Sequence, residues 1–232
     1  MVGGQENENQ ETSRHVDDEH RDAPPRTKGV SQADLLPHQP TVASRRIAII
    51  VTDGYDATAL DDVKSAIRSV DATPFIISPR RSPILAAPNP DPSSPPRSTL
   101  ADYHLDSQRS TQFDAVYIPE SSTITTNLAT HGRLLHWIRE AFGHLKPLAA
   151  TGEAIQVLEK ALALPQVLMS RNGTPVASYG VVTLRDVLPE SFTGGVCLAA
   201  DAKAFMSQFL WATSQHRCRE REMDGLSGMV AY

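Results

Sequence analysis

Cysteine is nearly absent from this sequence. Two residues, Cys197 and Cys218, form no CxxC pair, so a disulfide framework and a thiolate zinc site are both excluded. Glycine is scarce as well, with 13 in 232 residues and no cluster of the kind that cradles phosphates. No apolar run approaches the ~20 residues of a membrane-crossing helix. The N-terminus has no apolar stretch of a secretory signal. These absences lead to the expectation of a soluble, cytoplasmic protein with no membrane partner. Positive charge is also short: the net charge is −5 and the bases are scattered, which argues against nucleic acid as a partner. The one basic cluster, His216 to Glu222, is interleaved with acids and reads as a solvated helix end. Residues 1–44 lack apolar periodicity and are rich in Glu, Asp, Asn, Gln and Pro. Such a segment cannot bury enough surface to offset its ordering entropy, so a disordered polar tail is expected there.

What the chain does contain begins at Arg45-Arg46-Ile47-Ala48-Ile49-Ile50-Val51-Thr52-Asp53-Gly54-Tyr55-Asp56. A continuous Ile/Val run suits a strand covered on both faces, as in a parallel sheet. The segment 57–70 follows with Leu60, Val63, Ala66, Ile67 and Val70 at helical spacing, capped by Asp56 or Thr58. Asp61 and Asp62 suit the positive end of its dipole. Phe75, Ile76 and Ile77 mark a second strand, completing a βαβ unit. The prolines of 79–96 dictate a loop, and residues 98–105 read as a minor hairpin or edge strand. Further strands are expected at 114–118, 147–150 and within 175–183, and helices at 132–144, 153–162 and 202–215. This alternation predicts an α/β fold: a doubly wound parallel sheet in a three-layer α/β/α sandwich, spanning 45–232.

The stretches Ile47 to Gly54, Phe113-Asp114-Ala115-Val116-Tyr117-Ile118-Pro119, Ile138 to Glu153 and the tail Met229-Val230-Ala231-Tyr232 together resemble the C-terminal domain of large-subunit catalases. That flavodoxin-like module is in turn similar to the PfpI-like, class I glutamine amidotransferase-like superfamily. The resemblance implies a module that packs on a catalase body or on itself and serves hydrogen peroxide detoxification under oxidative stress through stabilising or chaperone-like contacts. It also implies that active relatives hold a cysteine nucleophile at the strand-to-helix elbow occupied here by Thr151. Gly152 follows where proteolytic relatives often have His, and the acid of their first helix corresponds to Ala59. A threonine hydroxyl needs a neighbouring base to attack anything, and the sequence offers none. The resemblance does not extend to a haem-binding body. The expectation is therefore a pseudoenzyme with no cofactor of its own, haem entering only if the module is part of a full-length catalase. Rival readings are a PfpI-type hydrolase, deglycase or glyoxalase working through the elbow, a fragment of a haem catalase, and a flavin-binding flavodoxin-like protein.

Open α/β sheets place ligands at the turns after their strands, so Asp53 and Tyr55, with Glu120 and Ser121, are candidates to line one cleft with Thr151 and Glu153. The bland alternative makes Thr151 a helix cap and Glu153 a favourable first-turn acid. His131, His136 and His144 are spaced by five and eight, which misses the i,i+4 geometry of a metal pair, so solvated or capping roles are expected. Cys197 reads as a small buried hydrophobe. Cys218, among arginines, is the candidate for a thiol of lowered pKa.

Overall fold

The computed structural model describes residues 40–88, 93, 95–124, 128–187, 190–193 and 204–229. The tail expected at 1–44 therefore falls, up to residue 39, outside the described residues, as do Cys197 and the end of the chain from 230.

Strand β1 (Arg46–Ile50) is the axis of the sheet. β2 (Thr73–Ser78) pairs with it in parallel on one side and β6 (Ala115–Ile118) on the other. Beyond β6 lie β7 (Leu148–Thr151) and β9 (Val181–Leu184), both parallel, and β8 (Val176–Ser178) closes that edge antiparallel. The short β5 (Tyr103–His104) closes the other edge against β2. A separate two-stranded ribbon pairs β3 (Ile84–Leu85) with β4 (Ser98–Thr99). The segment 175–183, expected to hold one strand, turns back on itself at Tyr179 and Gly180, both at positive φ, and so yields a hairpin. The segment 98–105 splits in the same spirit, its first half joining the ribbon and its second half the main sheet.

Alternation along the strands divides the core in two. Ala48, Ile50, Val116, Ile118 and Leu148 pack under helices α2 (Gly132–Gly143) and α3 (Ile155–Leu162). Ile47, Ile49, Tyr117, Ala149 and Val182 pack under α1 (Ala57–Arg68), α4 (Glu190–Thr193) and α5 (Phe205–Ser214). This is the three-layer, mostly parallel sandwich that the apolar runs predict. Val42 is also buried in the second core half and Ser44 donates to the Asp71 carbonyl, so ordered packing starts slightly upstream of residue 45.

The cap of α1 is Asp56, whose Oδ1 accepts from the amides of Thr58 at 2.8 Å and Ala59 at 3.0 Å. Asp61 and Asp62 sit beyond the first turn, and Asp61 pairs with Lys64 and Arg97 instead of the dipole. His131 caps α2, its Nδ1 accepting from Leu134 N at 3.3 Å. Among the described residues no group of three or more His, Cys, Asp or Glu converges as for a metal. None of their helices is long and apolar enough to cross a membrane.

The segment expected to be a solvated helix end is the chief surprise. In α6 (Glu220–Met223) Arg221 is completely buried. Its Nε donates to the Tyr179 carbonyl at 2.5 Å, its Nη1 to the Phe142 and Lys146 carbonyls at 3.1 and 2.9 Å, and its guanidinium lies 4.1 Å from the centre of the Phe142 ring. A cationic side chain read from sequence as surface is thus a core residue, because its guanidinium donates to carbonyls of the α2 end, of Lys146 and of the Tyr179 turn.

Candidate functional site

The strand-to-helix elbow follows β7. Thr151 keeps extended backbone (φ −122°, ψ 151°) and is 1% exposed, its side chain turned into the fold. Its Oγ1 shares a 2.9 Å hydrogen bond with the Tyr117 hydroxyl and accepts from the Glu120 amide at 3.2 Å. The hydroxyl therefore does not cap the following helix, as the bland sequence reading expected. It ties β7 to β6 instead, because Tyr117 stands one strand over on the same sheet face. Tyr117 packs its ring on Phe205 and Phe209, and complete burial pushes its phenol well above the usual tyrosine range. The group beside Thr151 is accordingly a neutral hydroxyl and not a base.

The residue that makes the elbow turn is Gly152, in the left-handed region at φ +57°. In a sharp strand–turn–helix elbow the left-handed residue is the one whose Cβ projects out above the sheet. Here that residue has no side chain. A Cβ at Gly152 would lie 2.2 Å from the carboxyl carbon of Glu120, so the Glu120 carboxyl fills the projecting direction. Glu120 itself reaches solvent. Its carboxyl is nevertheless held above the usual range, first by partial desolvation and then by the charge of Glu153, against the opposing pull of Arg185 and the Glu153 amide. Glu153 pairs with Arg185 and receives Gln156.

The other candidate residues do come together, through direct packing of the two loops. Thr52 Oγ1 lies 2.9 Å from Ser121 Oγ, Ser122 N donates to Gly54 O at 3.0 Å, and Tyr55 bridges both Ser121 and Ala86. Tyr55 is 2% exposed and Ser121 5%, so both serve the join between loops. The Asp53 carboxylate accepts from Leu85 N at 2.8 Å and pairs with Arg80, anchoring the β3–β4 ribbon. Sequence reasoning missed Tyr117 and Arg185, and it set the elbow at Thr151 where the left-handed residue is Gly152. Only the alternation that puts Tyr117 and Thr151 on one face was readable beforehand.

Cys218, expected to have a lowered pKa, shows the opposite: it is 8% exposed and burial pushes its thiol up, outweighing nearby Arg221. His136 and His144 stand apart from the elbow, on α2 and just after it.

Solved structures place the architecture in a class. A ThiJ/PfpI domain protein from Brachyspira murdochii, 13% identical, superposes with a TM-score of 0.59 over 75% of this chain and 98% of that one. DJ-1beta of Drosophila melanogaster, also 13% identical, gives 0.55 over 82% and 100%. The fold is thus that of the ThiJ/PfpI and DJ-1 proteins. Within that class the family is narrower: the model for the C-terminal domain found in long catalases matches residues 43–222, and this chain belongs to that family. Catalase-1 of Neurospora crassa is 46% identical over 207 residues, which is 89% of this chain and 27% of that protein. Catalase A of Aspergillus fumigatus is 43% identical over 89% of this chain and 28% of its own length. Catalase HPII of Pseudomonas aeruginosa is 33% identical over 72% and 21%. The chain thus spans about a quarter of the length of these catalases.

Proposed function

We propose that the chain is a non-catalytic accessory module of the long-catalase type, without a resident cofactor. It would serve peroxide defence by stabilising or chaperone-like contact with a catalase body or a second copy of itself. One observation carries this reading: the projecting position of the elbow is Gly152, while the adjacent hydroxyl of Thr151 is turned inward and tied to the neutral phenol of Tyr117. A nucleophile needs a reactive atom that projects and a base within hydrogen-bond reach; the Thr151 hydroxyl has neither, its partners being a neutral phenol and the Glu120 amide. The family implies haem, held in catalases by a tyrosinate. Tyr55 and Tyr117 do not suit that ligand role, since burial pushes both phenols up.

The test is direct. The purified chain should show no Soret band, background peroxide turnover, and equal background rates on methylglyoxal and a fluorogenic peptide for wild type and Thr151→Ala. It should also leave the fluorescence of added FMN unquenched. It should raise the recovery of a heat-stressed long catalase lacking this domain. Turnover that Thr151→Ala abolishes would overturn the reading.

A further inference from the structure

At the opposite end of the sheet a thiol and a buried cation meet with no anion between them. Arg221 is 0% exposed and its counter-charges are three carbonyl oxygens; no carboxylate pairs with it among the described residues. Its Nη2 is buried and has no hydrogen-bond partner there. Cys218 stands next to it, one turn earlier on the same segment. The place a Gly180 side chain would take, at φ +68°, is filled by the Cys218 thiol: a Cβ there would lie 1.9 Å from Cys218 Sγ and 3.1 Å from Arg221 Nη2, so sulfur and guanidinium border one spot. Cys218 and Gly180 also line a cavity of about 290 Å³ with Trp211, Gln215 and Met223, which offers a small oxidant an approach.

A buried guanidinium with an unused N–H is a half-built anion site, since an uncompensated buried charge is costly and an oxyanion partner would offset that cost. The thiol can become such a partner by gaining oxygen. We propose that Cys218 is a peroxide-modification site whose oxidised sulfur oxyanion is received by Arg221 Nη2. In the first step the sulfur attacks one oxygen of hydrogen peroxide and the O–O bond breaks. The other oxygen leaves as water with the thiol proton, giving sulfenic acid. A second equivalent of peroxide, reduced to water in the same way, gives sulfinic acid, which ionises. The proposal rests on none of the chemistry at the elbow and stands whether or not the chain has a catalase partner.

Burial keeps the thiol protonated, so the reaction is slow at neutral pH. Its rate should climb about tenfold per pH unit with the thiolate fraction. The experiment exposes the full chain to hydrogen peroxide under native conditions, traps sulfenic acid with dimedone and maps the oxygen count of the Cys218 peptide over time. One and then two added oxygens at Cys218, with the melting temperature held or raised, are expected. Oxidation confined to chains that have already unfolded, or a fall of many degrees in the oxidised protein, would overturn the proposal. A second arm does not depend on oxidation. Cys218→Asp places an anion beside Arg221 and Cys218→Asn a neutral isostere. Cys218→Asp should melt at or above Cys218→Asn at pH 7, and the order should reverse at a pH that protonates the carboxyl. Asp melting well below Asn at pH 7 would show that the site does not accept an anion.

Discussion

The two ends of the parallel sheet make opposite use of their polar groups. At the carboxyl ends of the strands, where open α/β folds place chemistry, the elbow holds neutral hydroxyls, Thr151 on Tyr117 and Thr52 on Ser121, each partnered and buried. Charge at that end stays in partly exposed pairs, Glu153 with Arg185 and Asp53 with Arg80, whereas the amino ends bury a cation. Lys146 donates to the carbonyls of Ser110, Thr111 and Phe113, Arg45 pairs with Asp114, and Arg221 joins the carbonyls of Phe142 and Lys146 to that of the Tyr179 turn. Neutral hydroxyl pairs join strands without lowering any pKa toward neutrality, whereas buried cations hold loops that strand pairing cannot reach. The difference teaches that this module places its most deeply buried charge in the scaffold, on the side away from the elbow.

Breaking the charged end should have the largest effect. Arg221→Met keeps most of the volume but removes the donors to Tyr179, Phe142 and Lys146, and of these carbonyls Phe142 keeps the Leu145 amide as a partner. A loss of about 3–5 kcal/mol is expected, read as a lower urea midpoint at unchanged slope. A loss comparable with an ordinary surface substitution would mean that the buried cation is dispensable and the contrast between the two ends is wrong.

At the elbow the effects are smaller and separable. Gly152→Ala should cost about 1–3 kcal/mol, through its left-handed backbone and the collision with Glu120. Adding Glu120→Ala should recover the part due to collision and leave the backbone part. The coupling in that double-mutant cycle therefore measures how firmly Glu120 fills the projecting direction. If the double variant is no more stable than Gly152→Ala alone, the Glu120 carboxyl moves aside freely.

Tyr117→Phe should cost about 1–2 kcal/mol, because Thr151 keeps only the Glu120 amide as a buried partner. The companion change Thr151→Val removes both sides of the pair when combined with it, so the double variant should lose less than the two singles added together.

The smallest effect is a pH dependence at the charged end. Arg45 Nη1 donates to His216 Nδ1 at 2.8 Å, and partial burial, then the charges of Arg45, Arg217 and Lys146 against Asp114, hold the imidazole below its ordinary 6.5. A lowered histidine pKa means that the unfolded chain binds the proton first. This contribution is intact above 6.5 and is lost as the pH falls from there through the lowered folded value. An NMR titration should place His216 below free histidine, and His216→Asn should flatten that part of the stability curve.

The sequence by itself determined the sandwich. Apolar runs at 47–51 and 115–118, helical spacing at 57–70 and 132–144, and the turn at Asp53-Gly54 are local patterns, and local patterns dictate elements and their buried faces. The quoted motifs also carried the family. Only the tertiary structure decided what the polar groups do. The partner of Thr151 lies on the neighbouring strand, 34 residues away in sequence, and the acceptors of Arg221 lie 42, 75 and 79 residues away. No window of sequence contains both halves of such pairs. The hydroxyl read as a cap became a strand tie, and the arginine read as solvated became core. A polar side chain takes its role from the buried donor or acceptor that the fold leaves facing it.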